Sequence, residues 1–309
     1  MFDKEKYGRL LVPIVTPFKA DMAVDYDAIV QIANRLIEKN YADSLVLTGT
    51  TGEFFTMSID ERKKVFQVLK SAVGARIPLI PGTGCAATHE TISLTRSAQE
   101  MGFELVMIVA PYYTKPTQQE VREHFAAIAG EVEIDIMLYN IPIFTGVNIE
   151  PDTVAELARI PNIVGIKEEA ELRPKQMTEY LSVTPDDFIV YCGDDSMVLE
   201  ALAQGGERIG GFVTGGAHVA GKLIREMIAA FLDGDVLTAG RMQRDLLPLY
   251  RSLSPNGRTN PVSLLKGAMA MADALAALAG NGGRTGGCSS SYGAPLAVVS
   301  ALDRRVDHD

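Results

Sequence analysis

The chain has 309 residues, 47% of them hydrophobic and 22% charged, with a formal net charge of −10. That length permits one large α/β domain or two smaller ones, and the acidic balance argues against nucleic acid, which is bound through clustered Lys and Arg. No apolar run approaches the ~18 residues of a membrane span.

The N-terminal stretch M-F-D-K-E-K-Y lacks the apolar core of a signal peptide. Cys85, Cys192 and Cys288 are odd in number and far apart, so no disulfide framework is expected. The expectation is a reduced, soluble, cytoplasmic protein.

In chain order, L-L-V-P-I-V-T (10–16) reads as a strand, and residues 25–40 follow as a helix with Ile29, Ile32, Ala33, Leu36 and Ile37 on one stripe. S-L-V-L-T (44–48) is the next strand. The helix over 58–73 opens on S-I-D-E, a capping-box pattern with Ser58 as cap and Glu61 three residues on. I-P-L-I-P-G-T (77–83) precedes a helix that starts at Thr88 and stops at Gly102. L-V-M-I-V-A (105–110), I-D-I-M-L-Y (134–139), N-I-V-G-I-K (162–167), F-I-V-Y-C (188–192) and I-G-G-F-V-T (209–214) complete eight strand candidates. Most are apolar throughout, as parallel strands covered on both faces require. Eight strand–helix units fit a (β/α)8 TIM barrel, an α/β fold of about 250 residues. An open doubly wound sheet is the alternative, because spacing alone does not show closure.

Beyond residue 220 the strand signal stops, and 221–233, 235–252 and 261–279 read as helices. The expected organisation is a catalytic barrel over 1–220, a C-terminal helical extension over 221–280 packed on it, and a Gly/Ser-rich, irregular tail over 281–309.

Active sites of such barrels lie at the C-terminal ends of the strands. Here those ends carry T-G-T-T-G-E (48–53), G-T-G (82–84), P-Y-Y (111–113), Tyr139-Asn140, Lys167, Gly193-Asp194-Asp195 and Thr214-Gly215-Gly216. A lysine at a buried strand end has two readings: an ion pair with Glu168 or Glu169, or an amine whose pKa burial lowers until it attacks a ketone as a Schiff-base nucleophile. Tyr139, one strand earlier, is a core tyrosine or a proton carrier for that chemistry. T-G-T-T-G-E is a tight turn or a concavity in which backbone N–H groups and the hydroxyls of Thr50 and Thr51 hold a carboxylate. Tyr112 and Tyr113 are either lid packing or part of the site.

Other chemistries have weaker support. G-T-G-C-A-A (82–87) lacks the third glycine of a dinucleotide fingerprint. His89, His124, His218 and His308 show no ligand spacing for zinc. Asp194-Asp195, a candidate cation pair, reads more simply as a helix cap.

Taken together, G-T-T-G-E (49–53), P-Y-Y-T-K-P (111–116), Y-N-I-P-x-x-T-G (139–146), G-I-K-E (165–168) and G-D-D (193–195) resemble the dihydrodipicolinate synthase / N-acetylneuraminate lyase family over about residues 8–270. The resemblance implies a pyruvate-utilising class I aldolase with no metal or organic cofactor, usually a homotetramer built as a dimer of dimers. It implies that Lys167 forms the Schiff base with pyruvate or another 2-oxo acid, that Tyr139 is the acid/base, and that Thr50 and Thr51 hold the carboxylate. It further implies that Thr51 joins a proton relay, which Tyr113 completes from across the tight dimer interface. Gly193 and Thr214 join the substrate-binding set.

Dihydrodipicolinate synthases usually carry an arginine two residues after the proline of Y-N-x-P, and here that residue is Phe144. Losing a bidentate carboxylate partner is not conservative, so the expected substrate is a 2-keto-3-deoxy sugar acid or a similar aldehyde acceptor, cleaved or dehydrated. The alternative is condensation of pyruvate with aspartate semialdehyde. A non-catalytic pyruvate-binding regulator is the reading from another class.

Overall fold

Eight strands occupy the eight expected runs: β1 (Leu10–Pro13), β2 (Ser44–Leu47), β3 (Leu79–Pro81), β4 (Leu105–Val109), β5 (Asp135–Asn140), β6 (Ile163–Glu168), β7 (Ile189–Cys192) and β8 (Ile209–Val213). The computed structural model describes residues 3–170, 174–253 and 262–280. The expectations for the tail over 281–309 lie outside the described residues. The chain divides into two compact units, residues 1–214 and 215–309.

In the first unit all strand pairs are parallel, in the order β3-β2-β1-β8-β7-β6-β5-β4. The remaining gap, between β3 and β4, is bridged where Gly82 pairs with Met107 and the Thr83 N–H donates to the Met107 carbonyl at 3.0 Å. The sheet is therefore a nearly closed TIM barrel, and the open doubly wound alternative is excluded. The interior is filled by Leu11, Val46, Ile80, Met107, Met137, Tyr139, Tyr191 and Val213, with Tyr7 in the same buried cluster. Burial on both faces explains why the strands read as apolar runs without alternation.

The helices of this unit are α1 (Lys4–Tyr7), α2 (Tyr26–Glu38), α3 (Ile59–Val73), α4 (Thr88–Glu100), α5 (Gln118–Ala129), α6 (Pro142–Thr145), α7 (Pro151–Leu157), α8 (Pro174–Val183) and α9 (Val198–Gly205). The stripe expected on α2 is the face it buries, through Ile29, Ala33 and Leu36. Both halves of the α3 capping box form: the Glu61 N–H donates to Ser58 Oγ at 3.2 Å, and the Ser58 N–H donates to the Glu61 carboxylate at 2.8 Å. Arg62, one residue further, is buried and donates to the carbonyls of Gly82 and Gly84, tying α3 to the loop after β3.

The second unit contains α10 (Ala217–Leu232), α11 (Val236–Leu253) and α12 (Val262–Gly280). α10 begins four residues before the helix expected from residue 221. The backbone of Ala220 is non-helical (φ −121°, ψ 22°), yet the buried face runs on through it from Ala217 to Ile224 and Ile228. α10 and α11 pack on each other across a short connection in which Gly234 has φ +88°, a region open to glycine at little cost. No helix among the described residues is long and apolar enough to cross a membrane.

Candidate active site

Strand register creates the centre of the site. Tyr139 on β5 stands opposite Lys167 on β6, and Lys167 stands opposite Tyr191 on β7. Because strand side chains alternate, Tyr139 and Lys167 point into the barrel while their neighbours Asn140 and Glu168 point outward. Both inward residues are buried, Lys167 at 5% exposure and Tyr139 at 2%. The Lys167 Nζ lies 4.0 Å from the centroid of the Tyr139 ring and 2.8 Å from Glu169 Oε2. The Tyr139 hydroxyl donates to the same carboxylate oxygen at 3.0 Å.

This geometry corrects one expectation. Burial does pull the Lys167 amine down, but the Glu169 carboxylate, assisted by the Tyr139 phenol, outweighs it and holds the ammonium above the usual lysine range. The same burial, with Glu169 second, pushes the Tyr139 phenol above its ordinary value. The two readings of Lys167 are therefore not exclusive: the ion pair is real, with Glu169 as partner, and it sits where the nucleophile was expected.

Glu168 faces the other way, into a polar network behind the strands. Its carboxylate accepts from Asn140 Nδ2 at 3.0 Å and from the Ala170 N–H at 2.7 Å. Asn140 also accepts from the Ile149 N–H at 2.9 Å and donates to Tyr180 Oη at 3.1 Å. Burial raises the Glu168 carboxyl above the usual range while these donors oppose it. The network pins the C-terminal ends of β5 and β6, and hence the spacing of Tyr139 and Lys167.

The other expected residues divide into two groups. Gly193 lies against the lysine: a Cβ there would stand 2.6 Å from Lys167 Cε. Thr50 hydrogen-bonds the Tyr139 phenol, and Thr51 beside it is half-buried. Within their turn the N–H groups of Gly52 and Glu53 bond to the carbonyls of Gly49 and Thr50. Thr214, at the end of β8, is 1% exposed and its Oγ1 has no hydrogen-bond partner among the described residues. Asp194 is a cap, accepting from the Ser196 N–H at 2.8 Å.

Tyr113 and Phe144 lie apart from the buried centre. Tyr113 has φ +82° and is 91% exposed, whereas its neighbour Tyr112 is half-buried against Phe54. Phe144, on α6, is 38% exposed. Just after it, Gly146 takes φ +71° with the Lys115 side chain passing close above it, 3.1 Å from where a Cβ would sit.

Glu169 was legible only as an ordinary ion-pair candidate. The missed signal was the period of two: if Lys167 faces the barrel interior, so does the residue two positions on.

With the geometry established, known proteins give a consistent match. The model of the Dihydrodipicolinate synthetase family matches residues 6–277. The 4-hydroxy-tetrahydrodipicolinate synthase of Desulforamulus reducens is 41% identical over 257 residues, 83% of this chain and 85% of the relative. Its counterpart from Heliobacterium modesticaldum is 44% identical over 248 residues, 80% of this chain and 81% of the relative. Among solved structures, dihydrodipicolinate synthase DapA-2 from Bacillus anthracis superimposes with a TM-score of 0.82 at 35% identity, covering 98% of this chain and 99% of that one. The Cyanidioschyzon merolae enzyme with lysine bound gives 0.81 at 33% identity, covering 96% of this chain and 98% of that one.

Proposed function

Because the chain belongs to the Dihydrodipicolinate synthetase family, we propose that Lys167 forms a Schiff base with pyruvate or a close 2-oxo acid, and that the derived enamine reacts with an aldehyde. The chain is an enzyme of the pyruvate-dependent class I aldolase type, whose covalent chemistry resides in a lysine imine and uses no metal cofactor. The observation that carries the assignment to these residues is the register of Lys167 and Tyr139, which puts a buried amine 4.0 Å from a phenol ring.

In this reading the hydroxyls of Thr50 and Thr51 hold the 2-oxo acid's carboxylate, Gly193 leaves room for the imine, and the Thr214 hydroxyl faces the same rim. Tyr139 gives and takes the proton at the acceptor's carbonyl oxygen. Tyr113, too exposed to act within its own chain, completes the relay in a second copy, within a homotetramer built as a dimer of dimers. Buried, unpaired Cys85 and Cys192 suit a reducing, cytoplasmic setting.

The relatives at 41% and 44% identity, both named 4-hydroxy-tetrahydrodipicolinate synthase, favour aspartate semialdehyde as acceptor. Phe144 favours a second reading. An apolar ring where the resembling enzymes carry an arginine offers no partner to an acceptor carboxylate, which suits cleavage or dehydration of a 2-keto-3-deoxy sugar acid. Borohydride reduction with pyruvate, followed by peptide mass analysis, tests the common step; absence of an adduct on Lys167 removes both readings. A coupled assay with pyruvate and aspartate semialdehyde, beside a screen for pyruvate release from 2-keto-3-deoxy sugar acids, separates them.

A further inference from the structure

We propose that Glu169 is a catalytic residue, the carboxylate that takes the proton from the Lys167 ammonium and returns it to the departing water during imine formation. The proposal rests on the Schiff-base reading above and adds to it a base that reading does not name.

The geometry is specific. One carboxylate oxygen, Oε2, receives both the Lys167 ammonium at 2.8 Å and the Tyr139 hydroxyl at 3.0 Å. The Glu169 backbone continues the strand ladder, its N–H donating to the Asn140 carbonyl at 2.9 Å, while the Gly193 N–H bonds to Glu168 at 2.8 Å. The carboxylate is thus carried by a position tied to both neighbouring strands. A Cβ on Gly193 would stand 2.8 Å from Oε2, so that glycine makes room for the carboxylate as well as the lysine. The side chain is 29% exposed against 6% for Lys167, which leaves one flank of the pair open to substrate and water.

The chemistry requires such a group. An ammonium is not a nucleophile, so a proton must leave Nζ before the amine attacks. Tyr139 is a poor acceptor, because it already donates to Glu169 and its phenol is held above the ordinary range. Glu169 is the base within reach. The ammonium passes a proton to the carboxylate, giving amine and carboxylic acid. The amine's electron pair attacks the 2-oxo carbon and, after its second proton moves to the oxygen, a neutral carbinolamine results. The Glu169 acid then protonates the hydroxyl, the C–O bond breaks, and water leaves. The products are the iminium, water and the regenerated carboxylate. The other titratable group facing the lysine is Tyr139 from β5, while Cys192, at the end of β7, feels the Glu169 charge.

The test is rapid-quench borohydride trapping of pyruvate on the full-length protein, following the rate of adduct formation at Lys167 in wild type, Glu169→Gln and Glu169→Ala. Because burial alone lowers the Lys167 amine once the carboxylate is gone, rates are compared across a pH profile. On the acid side, where Lys167 is the ammonium in every form, the variants are expected to form the adduct about 10²-fold more slowly, the size of a general acid–base contribution. Their rates should rise with the concentration of added formate or imidazole, whereas the wild-type rate should not. A purely structural ion pair would give no such buffer dependence. Glu169→Gln or Glu169→Ala trapping as fast as wild type, or slow but indifferent to formate and imidazole, overturns the proposal and leaves the Schiff-base reading standing. Absence of adduct in wild type removes the reading and the proposal with it.

Discussion

Gly193 and Lys167 are in such close approach that any side chain at 193 would collide with the lysine, its Cβ standing 2.6 Å from Lys167 Cε. The nearest atoms in its way, Lys167 Cε and Glu169 Oε2, lie far along flexible side chains, with Glu169 Cβ next at 3.0 Å, so the backbone can persist with a small shift while the lysine is displaced. Gly193→Ala should therefore keep a near wild-type melting temperature and lose about 10²-fold in turnover, the scale of a ~1 Å misplacement. Thermal melts beside trapping kinetics check this. A large fall in melting temperature would mean that the close approach serves packing instead.

Tyr139→Phe keeps the ring over the lysine and removes only the hydroxyl. Turnover should fall by about 10² to 10⁴, the range for loss of a general acid–base group. The adduct on Lys167 should remain detectable, since the proton first leaving the amine goes to Glu169. Steady-state rates and intact mass after borohydride reduction, measured on one preparation, separate the two steps.

Phe144→Arg restores a guanidinium where the resembling enzymes have one. A charge-assisted hydrogen bond contributes about 1.5–3 kcal/mol, so kcat/KM for aspartate semialdehyde should rise by about tenfold or more, with pyruvate trapping unchanged. An unaltered kcat/KM would remove the case for an uncharged acceptor and leave the condensation reading alone.

His124 supplies a pH-dependent stability element remote from Lys167. It is 5% exposed, its Nδ1 is 2.9 Å from Thr88 Oγ1, and its Nε2 has no partner among the described residues. Burial lowers its pKa from 6.5 to about 4. The unfolded chain takes up the proton near 6.5 while the folded chain resists it until about 4, so stability held above pH 6.5 is lost as pH falls between those values. At about 1.4 kcal/mol per pK unit the loss reaches about 3 kcal/mol. Urea midpoints at pH 7 and pH 4.5 should differ less in His124→Gln than in wild type.

Much of this molecule is legible in its amino-acid order because the cues are local. Continuous apolar runs mark strands buried on both faces, the Ser58–Glu61 pair marks the start of α3, and strand ends place Tyr139, Lys167 and Gly193 on one rim. The short α1 and α6, four residues each, carry too little periodicity to be found this way.

The ionisation of Lys167 was of another kind. Burial and charge pull an amine in opposite directions, and the outcome depends on distances of a few ångströms between groups whose positions tertiary packing sets. Local pattern and spacing were enough for eight strand–helix units and for the lysine at the end of the sixth strand, and the quoted motifs for the family resemblance, whereas closure of the sheet needed the pairing of Gly82 with Met107. The period of two already puts Glu169 on the face of Lys167 and Glu168 on the other; the folded chain added the 2.8 Å separation at which Glu169 meets that lysine and the Asn140 partner of Glu168. These distances depend on strands far apart in the chain coming into register, which the amino-acid order of one strand does not carry.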